Sequence, residues 1–346
     1  MEASNQIAVV TVNYRTPELV MRCLESLLPE KERLPSLEAI VVDCGSGDGS
    51  AEQLGRDMAD PRFAGWTSLL ALDLNGGFGW GNNQAMLRLL QREQPPALIH
   101  ILNPDTVIEP GAIAALAEAM TAHPDCAAAG SQLIDDGGGP AGSAFRFPTP
   151  ARELVRGSNT PALGRLLRIA PLLVEPGFES EVDWVTGASV MFRAEALREA
   201  GLFDDGFFLY FEEIELMHRL RRAGWSIRHV PQSRVYHVGG ASTGVNGHDP
   251  EQVKRRPAYW YQSRRRFFAL TTGPSGALLA GLAWLFGDAL WQVRRALAGG
   301  SGKIEVPFER KDLIAGGLKA KTADLAPHAR DWRHPPGIPP AWMESA

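Results

Sequence analysis

Cysteine is scarce in this sequence: three residues in 346, with no CxxC pair. So few cysteines suit a reducing cytoplasm better than a disulfide framework. The polar, acidic first residues predict no signal peptide, and no run of about 20 apolar residues is available to span a bilayer. The net charge of −5 disfavours general nucleic-acid binding. We therefore expect a cytoplasmic protein, and its apolar content of 45% is ample for a buried core.

Complete phosphate-binding fingerprints are also missing. The chain has no GxxxxGK[ST] loop, and residues 45–50 and 77–82 approach GxGxxG but end in Ser50 and Asn82. A sugar-nucleotide pyrophosphorylase should carry a glycine-rich loop after its first strand, where this chain has Asn13, Tyr14 and Arg15. These absences disfavour a dinucleotide-binding protein and a pyrophosphorylase.

The first 120 residues contain four strand-loop-helix units. Apolar runs at 7–12, 37–42, 69–72 and 98–102 predict strands. Helices are expected at about 18–28 and at about 111–120. A further helix begins near residue 51, and another opens within residues 75–83 and ends at about 91. This alternation predicts an α/β fold with a doubly wound, mostly parallel sheet and helices on both faces. The loops are rich in Gly, Asn and Asp, which suits phosphate binding but also simple turns.

The fourth strand ends in Asn103, Pro104 and Asp105. Pro104 breaks the strand, so Asn103 and Asp105 should project from its carboxyl end. Ligands of open α/β sheets bind at that edge. A carboxylate there suits Mg²⁺ or Mn²⁺, which take oxygen ligands and keep places for phosphate oxygens. We interpret Asp105 as a metal ligand for a nucleotide-diphosphate sugar; the alternative is a turn aspartate.

Four motifs, at 9–14, 41–50, 75–83 and 102–105, together resemble the family 2 glycosyltransferases, in the same order. The resemblance is to the rhamnosyltransferase-like branch that builds bacterial surface polysaccharides, and it covers about residues 7–270. It implies a GT-A fold and an inverting sugar transfer. Asp105 would be the metal-binding acid of the family's DxD-like motif. Because Asn103 replaces the first acid, one carboxylate remains and affinity for the ion alone should be weak.

The resemblance also implies which residues bind the nucleotide sugar. Thr11, Asn13 and Asp43 would hold the base and ribose, while residues of the third loop would line the donor pocket. The full expected set is Thr11, Asn13, Tyr14, Asp43, Ser46, Asn75, Gly77, Gly81, Asn82 and Asn103.

A pair of acids opens a helix expected to run to about Ala223. On a helical wheel Glu213 falls on the apolar face, Glu212 sits at its edge, and Glu215 can pair with Arg219. An inward carboxylate suits a general base that deprotonates an acceptor hydroxyl. The family places its base at the second acid, here Glu213. Glu212 could serve if the helix starts one residue later, and a carboxylate that only favours the helix dipole is the alternative.

Two further positions are candidates for ligand contact. Trp184 and Gly187 could contact the donor or acceptor sugar, since a sugar's apolar face can lie on an indole; a core tryptophan is the alternative. His237 precedes a Gly-Gly turn that resembles the family's histidine loop, which closes over the diphosphate. It could bind the metal or phosphate, or simply pack at a strand end.

The chain divides into a nucleotide-sugar half (1–135), an acceptor and catalytic half (136–250), a basic, amphipathic helical segment (251–298) and an irregular tail (299–346). Residues 254–266 carry six basic and no acidic side chains. The helix expected at 276–297 places Leu282 and Val293 on one face, Asp288 and Arg295 on the other. It reads as an interfacial helix beside a basic patch, or as a helix packed on the protein's own core.

These patterns predict a metal-dependent inverting glycosyltransferase. The donor would be dTDP-rhamnose or a UDP-sugar, and the acceptor a glycan or polyprenyl-diphosphate-linked glycolipid of cell-envelope polysaccharide synthesis. The enzyme would be cytoplasmic, with peripheral contact to the cytoplasmic face of the membrane. A sugar-nucleotide nucleotidyltransferase and a non-catalytic sugar-nucleotide-binding scaffold remain as alternatives.

Overall fold

The structure is a computed structural model, and it describes residues 6–174, 177, 179–237, 254–298, 306–318 and 325–344. Within these ranges nine strands form one sheet and two short strands form a second. The strands are β1 (Ile7–Asn13), β2 (Glu38–Cys44), β3 (Thr67–Leu72), β4 (Leu98–Leu102), β5 (Thr106–Ile108), β6 (Cys126–Ile134), β7 (Ala144–Phe145), β8 (Ser180–Glu181), β9 (Trp184–Val185), β10 (Ser189–Arg193) and β11 (Ser226–His237).

The helices separate and follow these strands. They are α1 (Pro17–Ser26), α2 (Leu28–Arg33), α3 (Ser50–Asp57), α4 (Phe78–Leu90), α5 (Ala112–Ala122), α6 (Pro150–Ser158), α7 (Pro161–Leu166), α8 (Ala194–Ala200), α9 (Glu212–Arg222), α10 (Ala258–Ala298), α11 (Glu309–Asp312), a π-helix (Leu313–Leu318) and α12 (Ala341–Glu344).

The large sheet has the order β3-β2-β1-β4-β10-β6-β11-β5, with β8 pairing with β11. Strands β1 to β4 are parallel, and β10 is antiparallel between β4 and β6. The predicted α/β fold with a mostly parallel sheet is therefore confirmed for the first half of the chain. The second half adds β10, which is antiparallel to its neighbours, and β11, which is parallel to β6 but antiparallel to β5 and β8.

The core forms two layers because side chains of a strand alternate between the faces of the sheet. Val9 and Val41 join one buried cluster with apolar residues of α1, α3 and α5. Val10 and Val42 join the other with residues of α4, α8 and α9. Helices thus cover both faces, and the loops at the carboxyl ends of the strands stay open at one edge.

Arg264, Arg265 and Arg266 are buried and do not belong to the predicted basic surface patch, whereas Lys254 and Arg255 are exposed. Arg264 is 1% exposed and its guanidinium lies 2.5 Å from the Glu153 carboxylate. Arg266 is 4% exposed and pairs with the buried Asp204 at 2.6 Å. Buried acids elsewhere in the chain neutralise these arginines, since a buried charge needs a partner. The run therefore fastens α10 to the core.

Helix α10 bends at Gly273, which has φ +77°, next to Pro274. Beyond the bend its small and aromatic residues pack inward: Ala280 and Trp284 are buried. Leu282 and Phe286 on the opposite face are 49% and 60% exposed. The helix is long and apolar enough to cross a membrane, yet 39% of its most apolar window is buried in the protein.

Residues 325–344 lie along α4. The indole of Trp80 donates to the carbonyl of Ile338 at 2.8 Å, and the amide of Gln91 donates to that of Trp332 at 2.8 Å. The indole of Trp342 donates to the carbonyl of Gly76 at 3.0 Å. These contacts bring the end of the chain to the edge of the sheet where ligands are expected.

Candidate active site

A cavity of about 360 Å³ opens at the carboxyl ends of β1, β2 and β4, between the two halves of the chain. Its wall contains candidate residues from both halves. The predicted residues that line it are Tyr14, Asn75, Gly77, Asn103, Asp105, Gly187, Glu212, Glu213 and His237.

Asp105 and His237 meet because β11 pairs with β5. The antiparallel register sets His237 opposite Thr106, one residue after Asp105. Nε2 of His237 lies 3.3 Å from Oδ1 of Asp105, and Asp105 is 8% exposed. Beside them, Oδ1 of Asn103 is buried with no hydrogen-bond partner among the described residues. Three potential metal ligands thus converge at one end of the cavity. The loop that follows His237, residues 238–242, lies outside the described residues.

Asn13, Asp43 and Ser46 form a buried network at the ends of β1 and β2. The β1–β2 register sets Asn13 opposite Asp43. The Asn13 amide donates to Asp43 at 2.6 Å, and the Ser46 hydroxyl donates to the same oxygen at 2.6 Å. These three side chains lie outside the cavity wall and brace the loops that follow β1 and β2, since Ser46 accepts from the Arg15 N–H and Asn13 accepts from the Thr16 N–H.

Thr11, Gly81 and Asn82 are buried behind the wall. A Cβ on Gly81 would lie 2.6 Å from Sγ of Cys44, so Gly81 lets α4 pack closely on β2. The Asn82 amide donates to the carbonyl of Phe78 at 2.9 Å. In the part of the chain that the structure describes, the Thr11 hydroxyl and Oδ1 of Asn82 lack partners.

Glu212 and Glu213 begin α9 and face the cavity together. The two residues before them, Tyr210 and Phe211, both have φ +69°, a left-handed conformation that turns the chain sharply into the helix. Glu212 is 2% exposed. Neither Oε2 atom has a hydrogen-bond partner within the described ranges. Glu215, two residues on, instead pairs with Arg219 at 2.8 Å, as predicted.

Burial controls the ionisation of this pair. It raises the pKa of Glu213 to about 7, although backbone N–H groups of Glu213 and Ile214 oppose the shift. Burial, reinforced by the nearby Glu213 carboxylate, raises the pKa of Glu212 well above its ordinary value. Burial therefore opposes ionisation of both acids, and the Glu213 carboxylate further opposes ionisation of Glu212. A carboxylate that titrates near pH 7 suits a general base.

Trp184 and Gly187 have different surroundings. The Trp184 ring stacks on Phe145 with centroids 4.3 Å apart and donates to the carbonyl of Arg146 at 3.0 Å. It is 8% exposed and lies in the core, outside the cavity wall. Gly187 lines the cavity, where an added Cβ would lie 3.5 Å from Cβ of Glu213.

Aromatic residues that the sequence did not single out line the other side of the cavity. We call Phe208, Tyr210 and Tyr259 the aromatic wall. Phe208 and Tyr210 belong to residues 207–211, an aromatic-rich run directly before the two acids that can be recognised in the sequence. Tyr259 comes from the first turn of α10, and nothing in its local sequence marks it as a cavity residue.

Sequence comparison identifies related proteins. A profile of the family described as "Glycosyltransferase like family 2" matches residues 4–266. An N-acetylglucosaminyl-diphospho-decaprenol L-rhamnosyltransferase of Mycobacterium tuberculosis is 30% identical over 251 residues, covering 69% of this chain and 78% of the relative.

Two solved structures share the fold. A mannosyltransferase of Pyrobaculum calidifontis, in complex with GDP-Man and Mn²⁺, aligns with a TM-score of 0.54 at 16% identity, covering 91% of this chain and 87% of that one. GalNAc-T7 with UDP, GalNAc and Mn²⁺ aligns with a TM-score of 0.53 at 16% identity, covering 84% of this chain and 54% of that one. This chain thus spans about half of GalNAc-T7. The two alignments confirm the predicted GT-A fold.

Proposed function

The chain belongs to glycosyltransferase family 2, and we propose that it transfers L-rhamnose from dTDP-rhamnose, or a sugar from a UDP donor, to a polyprenyl-diphosphate-linked N-acetylglucosamine. This reaction would serve cell-envelope polysaccharide synthesis. The observation that carries the proposal is that one cavity is lined both by Asp105 and His237 and by Glu212 and Glu213. The similarity to the mycobacterial rhamnosyltransferase supports the choice of sugar and acceptor.

The donor's diphosphate is assigned to the Asp105 end of the cavity. Carboxylate and amide oxygens with an imidazole suit Mg²⁺ or Mn²⁺. In the described residues no three His, Cys, Asp or Glu side chains are grouped to hold a metal. The proposed set instead combines two such side chains, Asp105 and His237, with Oδ1 of Asn103 and donor phosphates, and the cation would offset charge on the leaving diphosphate. Tyr14, Asn75 and Gly77 line the nucleotide side of this pocket.

Glu213 is assigned as the general base. It takes the proton of the acceptor hydroxyl while that oxygen bonds to the anomeric carbon, and the bond from this carbon to the diphosphate breaks. Attack opposite to the leaving group inverts the configuration. Glu212, whose pKa is raised by burial and by the Glu213 carboxylate, lies beside the base and can donate a hydrogen bond when it is protonated. Cys44 also lines the cavity, but burial raises its pKa to about 12, so its thiol is not a ready nucleophile.

The test compares wild-type protein with Asp105→Ala and Glu213→Gln. Purified proteins receive dTDP-rhamnose, Mn²⁺ and a short-chain N-acetylglucosaminyl-diphospho-lipid, and the glycolipid product is quantified by mass spectrometry. Both variants are expected to lose transfer by a factor of about 10² or more, while circular dichroism and Tm show that they are folded. Full transfer by either variant would remove that residue from the mechanism.

A lipid-linked acceptor requires the enzyme to work at a membrane surface, and α10 has a suitable face. Its exposed apolar side chains recur every three or four residues: Leu279, Leu282, Phe286, Leu290, Val293 and Leu297. Arg294 and Arg295 are exposed at its end, whereas Asp288 is buried and accepts from Arg310 at 2.9 Å. Apolar and basic surface together suit anionic lipid. Because the opposite face packs on α6, the helix would lie on the membrane rather than cross it.

A further inference from the structure

The aromatic wall is a continuous surface built from two distant parts of the chain. The Tyr210 and Tyr259 rings are nearly parallel, with centroids 6.1 Å apart and an interplanar angle of 20°. Phe208 meets Tyr259 edge to face, with centroids 5.3 Å apart. All three side chains are half-buried and line the cavity. They therefore present apolar ring surface to whatever occupies the cavity.

Neighbouring residues hold this wall in place. The Ser263 hydroxyl of α10 donates to the carbonyl of Leu209 at 2.8 Å, which fastens the loop between Phe208 and Tyr210. The Trp342 ring lies edge to face with Phe208, with centroids 5.1 Å apart. The same indole donates to Gly76 across the cavity rim. The wall is thus preorganised, which lowers the entropic cost of binding a ligand.

The position of the wall indicates which ligand it meets. Tyr210 stands two residues before Glu212 and three before Glu213, and its side chain lines the same cavity as both carboxylates. Asp105, which lies between β4 and β5, and His237, the last residue of β11, suit the donor's diphosphate instead. The hydroxyl that gives its proton to Glu213 belongs to the acceptor, so the acceptor sugar has to enter the part of the cavity that these carboxylates line.

We propose that the aromatic wall of Phe208, Tyr210 and Tyr259 is the acceptor-sugar subsite, and that it stacks on the apolar face of the pyranose whose hydroxyl is glycosylated. This inference rests on the proposed function. Pyranose rings expose C–H groups on one face, and an aromatic ring buries them at low entropic cost because it has few rotatable bonds. Trp342 is a positioning residue that supports Phe208.

The test measures acceptor and donor binding separately by titration calorimetry. The acceptor probe is N-acetylglucosaminyl diphosphate carrying a short alkyl chain, in the presence of dTDP and Mn²⁺; the donor probe is dTDP with Mn²⁺. Tyr259→Ala is expected to weaken acceptor-probe binding about tenfold, equivalent to about 1.4 kcal/mol, and to leave the Kd for dTDP unchanged. Tyr259→Phe keeps the ring and should bind within about twofold of wild type. Phe308→Ala, which removes a surface ring that is 62% exposed, is the control.

Several outcomes would overturn the proposal. The first is an unchanged Kd for the acceptor probe in both ring-deletion variants, Tyr259→Ala and Phe208→Leu. The second is a parallel loss of dTDP affinity, which would assign the wall to the donor. The third is a wild-type protein that binds dTDP but not the acceptor probe. Failure of the proposed function is distinguishable, because it would appear as wild-type protein that binds neither dTDP nor UDP in the presence of Mn²⁺.

Discussion

Lowering the pH from 8 to 6 is expected to reduce kcat about tenfold. A general base works only when deprotonated, and burial raises the pKa of Glu213 to about 7. With that pKa, about 90% of Glu213 is carboxylate at pH 8 and about 10% at pH 6. A glutamate with an ordinary pKa of about 4.3 would stay almost fully ionised over this range. The expected kcat therefore rises with pH, because Glu213 loses its proton as the pH rises.

The assay measures the initial rate of dTDP release at saturating donor, acceptor and Mn²⁺, at several pH values between 6 and 8. Glu213→Gln should lower the rate by a factor of about 10² to 10⁴, the usual contribution of a general base, and its residual rate should be independent of pH. His237→Gln removes the imidazole beside Asp105. It should lower the rate at every pH and leave the dependence of the rate on pH unchanged. A flat wild-type profile would refute the reasoning, as would a slope that persists in Glu213→Gln.

Three further predictions concern packing, backbone and membrane contact. Trp184→Ala should lower the free energy of unfolding by about 3 kcal/mol in urea denaturation, with kcat/KM of the folded protein unchanged; lost activity at full stability would indicate a sugar contact. Gly77→Ala should abolish transfer, because φ is +92° and the new Cβ would lie 1.9 Å from the Phe208 carbonyl oxygen; a fully active variant contradicts this. Phe286→Asp should reduce cosedimentation with anionic vesicles several-fold, while Gln292→Asp, with the same added charge on an exposed polar position, should not; equal losses would contradict a specific apolar contact.

The strands, helices and loops of the nucleotide-sugar half could be predicted from the sequence because short local patterns determine them. Apolar, β-branched runs followed by Gly- and Asn-rich loops fix strand, turn and helix within a few residues of each other. Asp105 follows Pro104 at a strand end, so its place at the sheet edge needed no distant information. The acids of α9 were predicted from helical periodicity, although Glu212 proved as inward-facing as Glu213.

Features that depend on distant partners were not readable. The cavity contact of Tyr259 exists because Ser263 fastens α10 to the loop before α9, and no local pattern encodes that contact. Likewise, a run of basic residues looks like a surface patch until its partners are known. Arg264 finds Glu153 more than a hundred residues away, which buries a charge that the sequence suggested was exposed.

Proton NMR of the isolated product tests the central claim most directly. The claim is that Asp105, as a metal ligand, and Glu213, as the general base, act in one cavity on a single displacement. Wild-type protein is given dTDP-rhamnose, Mn²⁺ and the N-acetylglucosaminyl-diphospho-lipid, and the anomeric signal of the new linkage is compared with that of the donor. The account predicts a glycosidic bond of opposite configuration together with release of dTDP. A product of retained configuration, or release of pyrophosphate from a nucleoside triphosphate and sugar phosphate in its place, would contradict it.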